Sequence, residues 1–167
     1  MKIRKASAAD AEKLVILLTH FETGTRTRLP KQLLQIRAYK NTAEAIRNKV
    51  EELFSNQKCF TFIAEERDQS AGFIFGEIKE KKEKVYDKEG YVDSWYVEPE
   101  YREAGTGKLL FDSLVEEFKK ADCTHIALSV HFDNTKALQI YERMDFTKRV
   151  ISFIKPLKDL NIKPEEI

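Results

Sequence analysis

Three stretches of the chain repeat an apolar residue every three or four positions, which is the spacing of an amphipathic helix. Residues 7–10 and 41–44 precede the first two stretches and match the polar pattern that caps a helix N-terminus. The apolar positions are Leu14, Leu17, Leu18 and Phe21, then Ile46, Val50, Leu53 and Phe54, and then Leu110, Leu114 and Phe118. The sequence therefore predicts three amphipathic helices, with a further short helix over residues 33–36.

Shorter runs rich in β-branched and aromatic residues alternate with these helices and predict strands. Turn residues separate the second of these runs from the third, which predicts a β-hairpin. The charged segment at 79–89, between the third run and the fourth, predicts a solvent-exposed hairpin tip. The six runs are 3–5, 60–65, 71–78, 91–97, 125–130 and 147–154. Their order predicts an α/β fold with a mixed, mostly antiparallel central sheet and helices on both faces.

Residues 23–30 contain Gly24 and Pro30 but no helical or strand period, which is typical of a loop. Irregular loops often carry binding residues. Arg26 and Arg28 in this loop are therefore candidates for binding a carboxylate or phosphate of a substrate, and exposed loop charges are the alternative interpretation.

Composition and charge indicate one domain with no general affinity for nucleic acid or membrane. The chain has 167 residues, of which 42% are hydrophobic, and this is enough for a domain with its own core. The formal net charge of +1 gives no overall attraction to nucleic acid or to an anionic membrane. There is no run long enough to span a bilayer and no signal-peptide pattern. We therefore expect a single cytoplasmic domain over residues 1–167, with a frayed tail at 158–167.

The cysteines and histidines do not form a pattern that would bind a metal. Cys59 and Cys123 are far apart in the sequence and favour buried, reduced thiols. The three histidines are scattered. The sequence therefore predicts no metal site.

The segment with the clearest chemistry lies between the predicted strand 91–97 and the following helix. Its two glycines allow successive backbone N–H groups to point into one cradle, and the helix N-terminus adds partial positive charge in the same direction. The residues of this cradle are Arg102, Glu103, Ala104, Gly105, Thr106, Gly107 and Lys108. The segment therefore predicts a pyrophosphate site.

Two common phosphate-binding motifs do not fit this segment. A P-loop requires Ser or Thr directly after Gly-Lys, and Leu109 stands there. A dinucleotide-binding loop requires a third small residue, and Leu110 stands at that position. The pattern that remains is R-x-x-G-x-G.

This pattern resembles the pyrophosphate loop of the GNAT superfamily, the acyl-coenzyme-A-dependent N-acetyltransferases. Residues 91–102 are similar to the family's fourth strand, and residues 134–146 to its N-x-x-A-x-x-x-Y-x-x-x-G-F helix. Asp145 stands where the family usually has Gly, after a helix end where left-handed backbone is common and Asp tolerates it. The resemblance is strongest over residues 91–154.

The resemblance implies acetyl-CoA as co-substrate and no metal. The loop would hold the pyrophosphate, with charge added by Arg102 and Lys108, while Glu103 would point to solvent. The pantetheine chain would pair with a strand edge opened by a bulge, at Trp95, Tyr96 and Val97. Asn134 would either contact the cofactor chain or serve only as a helix N-cap.

Acetyl transfer to an amine requires a neutral amine, a stabilised oxyanion and a protonated leaving thiolate. The resemblance implies Tyr141 as the general acid, with core packing as the alternative. It implies Asp93 as the base, with a polar residue on an open strand face or a water chain as alternatives. Glu77 and Tyr91 are weaker candidates for the same role.

We therefore expect an N-acetyltransferase that moves an acetyl group from acetyl-CoA to the primary amine of a small molecule. Polyamines, aminoglycoside-like amines and amino acid derivatives are candidate acceptors. The alternatives are a protein N-terminal or lysine acetyltransferase and, in another class, a regulatory acyl-CoA-binding domain without turnover. The sequence does not identify the acceptor and leaves a homodimer open.

Overall fold

A computed structural model describes residues 1–27, 29–34, 36 and 38–158, with Lys31 and Gln32 described through their backbone only. The described part contains a five-stranded sheet with the strands in chain order. The strands are β1 (Lys2–Lys5), β2 (Cys59–Glu66), β3 (Gln69–Glu80), β4 (Lys88–Val97) and β5 (His125–Leu128). The first four strands are antiparallel and β5 runs parallel to β4. The predicted mixed, mostly antiparallel sheet is confirmed.

The helices follow the predicted order, but the first one is longer than the periodicity indicates. They are α1 (Ala11–Arg26), α2 (Lys31–Leu34), α3 (Thr42–Ser55), α4 (Thr106–Lys120) and α5 (Thr135–Arg143). The prediction that residues 23–30 form a loop is therefore wrong for its first half. Thr25 and Arg26 are buried, so tertiary contacts continue the helix past the end of its apolar pattern.

The predicted last strand, residues 147–154, is not present. Residues 147–156 form neither helix nor strand, although their apolar and polar residues suit a strand. Val150, Ile151 and Phe153 are exposed. A strand is stable only when a neighbour accepts and donates its backbone hydrogen bonds, and in the described residues this segment pairs with none.

The chain divides into two compact units. The first contains Met1–Thr23 and Ala43–Ser129 and holds the whole sheet. The second contains Gly24–Thr42 and Val130–Ile167, of which the structure describes the part up to residue 158. The single domain predicted for residues 1–167 stays a prediction.

Within the first unit, both faces of the sheet are covered by helices, as the sequence predicts. Residues of α1 and α3 pack with Ile63, Phe73 and Phe75 on one face. On the other face, the Phe118 ring of α4 lies where a Cβ at Gly76 or Gly90 would collide with it. The two glycines therefore let α4 approach the strands closely.

Arg4 ties β1 to its neighbours. Its guanidinium donates to both carboxylate oxygens of Asp10, at 2.8 and 2.6 Å, and to both of Glu65, each at 2.8 Å. The Nζ of Lys13 also donates to Glu65, at 2.7 Å. The Arg4 hydrogen bonds lower the pKa of Glu65 to about 2 and hold the pKa of Asp10 well below its usual range.

Candidate functional site

Strand β4 contains a bulge and, beyond it, an edge along which β5 does not continue. The register with β3 passes from Phe75–Ser94 to Gly76–Val92, so Asp93 is the extra residue on β4. On the other side, the ladder between β4 and β5 ends at the pair Val92–Leu128, while β4 continues to Val97. Residues 93–97 therefore leave one backbone edge beside which β5 does not run. This is the edge that the sequence predicts for pantetheine.

The predicted pyrophosphate loop connects β4 to α4. Gly105 is the N-cap of α4 and has a φ of 81°, a left-handed conformation that glycine adopts without strain. The Leu109 N–H donates to the Gly105 carbonyl at 3.1 Å. The N–H groups of residues 106–108 precede this bond and belong to the helix end that lacks intrahelical acceptors.

The outer side of this loop consists mostly of backbone. The Thr106 side chain is turned inward and buried, while Gly105 is exposed with open space where a Cβ would stand. A Cβ at Gly107 would lie 3.5 Å from the indole of Trp95, which is ordinary contact. These residues fit a pyrophosphate, because bare N–H groups at a helix N-terminus can approach its oxygens without side chains in the way.

Two residues of the predicted pantetheine edge have side chains with other partners in the structure. The Trp95 ring stacks on Phe111 of α4, with centroids 5.2 Å apart. The Tyr96 hydroxyl donates to Glu98 at 2.8 Å, and burial together with this bond raises the pKa of Tyr96 to about 12. Any contact of Trp95 or Tyr96 with the cofactor would therefore be made by backbone atoms.

The two cationic side chains near the loop also have partners in the structure. The Arg102 Nε donates to the Val97 carbonyl at 2.8 Å, and its guanidinium lies 5.6 Å from the centroid of the Tyr96 ring. The Lys108 Nζ lies 2.5 Å from Asp112 Oδ2, one helical turn away. Glu103 is exposed. Arg102 and Lys108 both lie at the surface near the loop. Exposed ion pairs and hydrogen bonds are weak, so a bound phosphate can replace the partners of these two side chains.

Three acid–base candidates lie on the α3 side of the sheet. Asp93 stands in the bulge with its side chain 36% exposed, and Glu77 and Tyr91 are paired across β3 and β4. The Lys49 Nζ of α3 lies 3.6 Å from Asp93 Oδ2. The Tyr91 hydroxyl donates to Ser129 Oγ at 2.9 Å. The sheet thus brings the three candidates to one face. Helix α3 places Lys49 beside them, and no sequence pattern predicts this contact.

The remaining predicted residues belong to the second unit. Asn134 caps α5, since its side-chain oxygen accepts from the Ala137 N–H at 3.3 Å, and a cofactor contact stays a prediction. Tyr141 of α5 lies against Phe146, with ring centroids 5.9 Å apart. Burial raises the pKa of Tyr141, which keeps its phenol protonated. Asp145, after this helix, has a φ of 62°, the left-handed backbone expected there.

Of the two candidate substrate arginines, the structure describes Arg26. The side chain of Arg26 is buried, which contradicts the alternative of an exposed loop charge. Its guanidinium lies 5.5 Å from the Tyr39 ring, and Nη1 donates to Thr42 Oγ1 at 3.3 Å. Arg28 lies outside the described residues. Contact of either arginine with substrate stays a prediction.

Two further features concern only the described part of the chain. No helix there is both long and apolar enough to cross a membrane. No group of three or more His, Cys, Asp or Glu side chains among the same residues is arranged to hold a metal ion.

Comparison with known proteins gives a family match and structural neighbours. The model of the acetyltransferase (GNAT) family matches residues 28–146. N-alpha-acetyltransferase 60 of Danio rerio is 33% identical over 112 residues, which cover 57% of this chain and 46% of that protein. The chain thus spans about half the length of this curated relative.

Two solved structures illustrate the similarity of the fold. A tetramutant of the BH1408 protein from Bacillus halodurans has a TM-score of 0.79 at 19% identity, covering 94% of this chain and 100% of that one. The aminoglycoside N-acetyltransferase AAC(6')-Iy in complex with CoA has a TM-score of 0.70 at 17% identity, covering 93% and 99%. The predicted fold class is confirmed by these neighbours.

Proposed function

This chain belongs to the GNAT family of acetyltransferases, and we propose that it transfers an acetyl group from acetyl-CoA to the primary amine of a small molecule by direct attack. The family match supports acyltransferase activity, and the small-molecule acceptor is the finer part of the proposal. The observation that supports it is the edge of β4 that β5 does not cover in the described residues, which begins at Asp93 and leads into the glycine loop. This edge, the N–H groups at the start of α4 and the Asp93 carboxylate belong to one continuous segment, residues 93–108, which supports a shared role in binding acetyl-CoA.

Acetyl-CoA supplies the activated thioester. The N–H groups of residues 106–108 bind its pyrophosphate, and Gly105 keeps the approach to them open. Backbone groups of residues 95–97 hold the extended pantetheine chain by adding it along the edge of β4. The stacked Trp95 and Phe111 rings keep β4 and the start of α4 at a fixed spacing, so both binding segments are preorganised.

Two side chains of the protein would move protons. Asp93 accepts a proton from the acceptor ammonium, which must become neutral before it attacks. Tyr141 holds a proton that it donates to the leaving sulfur, and its raised pKa keeps that proton available at neutral pH. The acceptor approaches on the α3 side, where Asp93 is partly exposed.

A second candidate function is acetylation of protein N-termini. It is favoured by the 33% identity to a protein whose name is N-alpha-acetyltransferase 60. An α-amino group has a lower pKa than a lysine-like amine, so it would depend less on Asp93. The two candidates therefore differ in both acceptor and pH dependence.

Thiol release from acetyl-CoA, measured against a panel of small amines and short peptides, tests the proposed function. We expect release only when an acceptor is present, with at least one small primary amine turned over faster than any peptide. Faster turnover of peptides would replace the proposal with N-terminal acetylation. Stabilisation by coenzyme A without release from any acceptor would instead indicate a binding domain.

Asp93→Asn should reduce kcat/KM about 100-fold at pH 7 but less than tenfold at pH 9. At higher pH a larger share of the acceptor is already neutral, so the protein needs to remove fewer protons. Steady-state kinetics at both pH values measures the difference. Asp122→Asn is a matched control, because Asp122 is exposed at a left-handed position that Asn also tolerates. An equal loss at both pH values in Asp93→Asn would reduce Asp93 to a positioning or structural residue.

A further inference from the structure

We propose that Lys49 determines acceptor specificity by restricting the site to amines that carry no second positive charge near the reacting nitrogen. The inference rests on the proposed function, because it takes Asp93 as the group that the acceptor amine approaches. It is carried by the surroundings of the Lys49 ammonium on the α3 side of the sheet.

The Lys49 side chain is 38% exposed, and its ammonium lies beside groups that bind cations. Its Nζ lies 3.6 Å from Asp93 Oδ2 and 3.6 Å from Glu52 Oε2. It also lies 5.1 Å from the centroid of the Phe75 ring. Two carboxylates and an aromatic face are the surroundings that a primary ammonium prefers. Lys49 thus occupies, from within the chain, a cation position directly beside Asp93.

This position is held by a charged lysine. Burial lowers the pKa of Lys49, but Asp93 and Glu52 more than compensate, and the pKa is raised above its usual value. The other titratable groups around it are the Cys59 thiol of β2, Glu77 and Lys79 of β3, and Tyr91 of β4. Among the described groups named here, the three carboxylates of Asp93, Glu52 and Glu77 accompany the two lysines Lys49 and Lys79. Lys49 therefore acts as a fixed cation rather than as a nucleophile.

A fixed cation next to Asp93 discriminates between classes of amine. A monoamine can bring its single ammonium to the accessible side of Asp93. A diamine or polyamine brings a second ammonium, which would have to displace Lys49 from its carboxylates or remain close to a like charge. The site therefore accepts monoamines and disfavours polyamines, although the same acids would bind polyamines well without Lys49.

The test compares two acceptors of equal chain length, butylamine and 1,4-diaminobutane. In Lys49→Met, the ratio of kcat/KM for the diamine to that for the monoamine should rise about tenfold. Lys49→Arg keeps the charge and should keep the ratio of the unsubstituted protein. Lys58→Met is the matched control. It removes a nearby exposed lysine that pairs with Glu80 at 3.0 Å, away from Asp93, and should leave the ratio unchanged within about twofold.

Calorimetric titration of 1,4-diaminobutane provides a readout that needs no turnover. Lys49→Met should bind the diamine about tenfold more tightly than the unsubstituted protein and Lys58→Met do. Stabilisation by coenzyme A verifies that each variant is folded, and Lys49→Gln replaces Lys49→Met if the latter does not fold. Equal diamine binding in Lys49→Met and the unsubstituted protein would overturn the inference, as would an equal gain in Lys58→Met.

The same two readouts separate this inference from the proposed function. Tighter diamine binding in Lys49→Met, without turnover of any amine by any variant, would support the role of Lys49 and refute the acetyltransferase proposal. Turnover with an unchanged acceptor ratio would support the proposal and refute the role of Lys49.

Discussion

Replacing Gly107 by Asp should abolish the thermal stabilisation of the protein by coenzyme A while leaving the Tm of the free protein almost unchanged. A side chain at this position has room, because its Cβ would only contact the Trp95 indole at 3.5 Å. A carboxylate in the first turn of α4 is also favourable for the helix itself. The same carboxylate would add a negative charge beside the N–H groups of residues 106–108, and this charge should repel the pyrophosphate.

The size of this effect follows from binding linkage. A ligand present at 100 times its Kd stabilises the folded state by about 2.7 kcal/mol, and this contribution should disappear in Gly107→Asp. Thermal unfolding with and without coenzyme A measures it. Gly107→Ala adds the Cβ without the charge and should keep most of the stabilisation. Full stabilisation in Gly107→Asp would move the pyrophosphate away from this loop.

Replacing Tyr141 by Phe should lower kcat by about 10²–10⁴-fold, the usual range for loss of a general acid, while the affinity for acetyl-CoA changes by less than about threefold. The change removes the proton but keeps the ring that packs against Phe146. Folding should therefore be little affected, and the loss should appear in the chemical step.

A series of acyl donors distinguishes acid catalysis from packing. A thiol of low pKa leaves without protonation, so the loss in Tyr141→Phe should shrink as the leaving thiol becomes more acidic. Tyr86→Phe, in the turn between β3 and β4, is the control and should leave kcat unchanged. A normal rate in Tyr141→Phe with a poor leaving group would assign Tyr141 to packing alone.

The parts of the site that are local in sequence could be predicted, because their signals lie within a few residues of one another. The loop around Gly105 is such a part: its glycine spacing and its place between a strand and a helix predict the left-handed glycine at the start of α4, while phosphate binding there stays a prediction. The left-handed backbone at Asp145 is another, since it follows directly from the end of a helix. The cytoplasmic location and the oligomeric state have no such local signal and stay open.

The parts that depend on contacts distant in sequence could not be predicted. Lys49 meets Asp93 only because α3 packs over the bulge of β4. His20 likewise meets Glu98, with Nδ1 2.6 Å from Oε1, across 78 positions of the chain. Arg26 belongs to a segment whose sequence is typical of a loop, but its side chain is buried and contacts Tyr39 and Thr42. In each case tertiary packing decides, and a single sequence does not record it.

The hydrogen bonds of Arg4 set an acid limit for the kinetic experiments. The pKa of Glu65 falls from its ordinary 4.5 to about 2 on folding, so the unfolded chain takes up more protons than the folded one between these values. The stability that Glu65 contributes is complete above pH 4.5 and is lost as the pH falls toward 2. The depressed pKa of Asp10 acts in the same direction. A fall in Tm across this range would therefore report release of β1 from the edge of the sheet as the carboxylates around Arg4 take up protons.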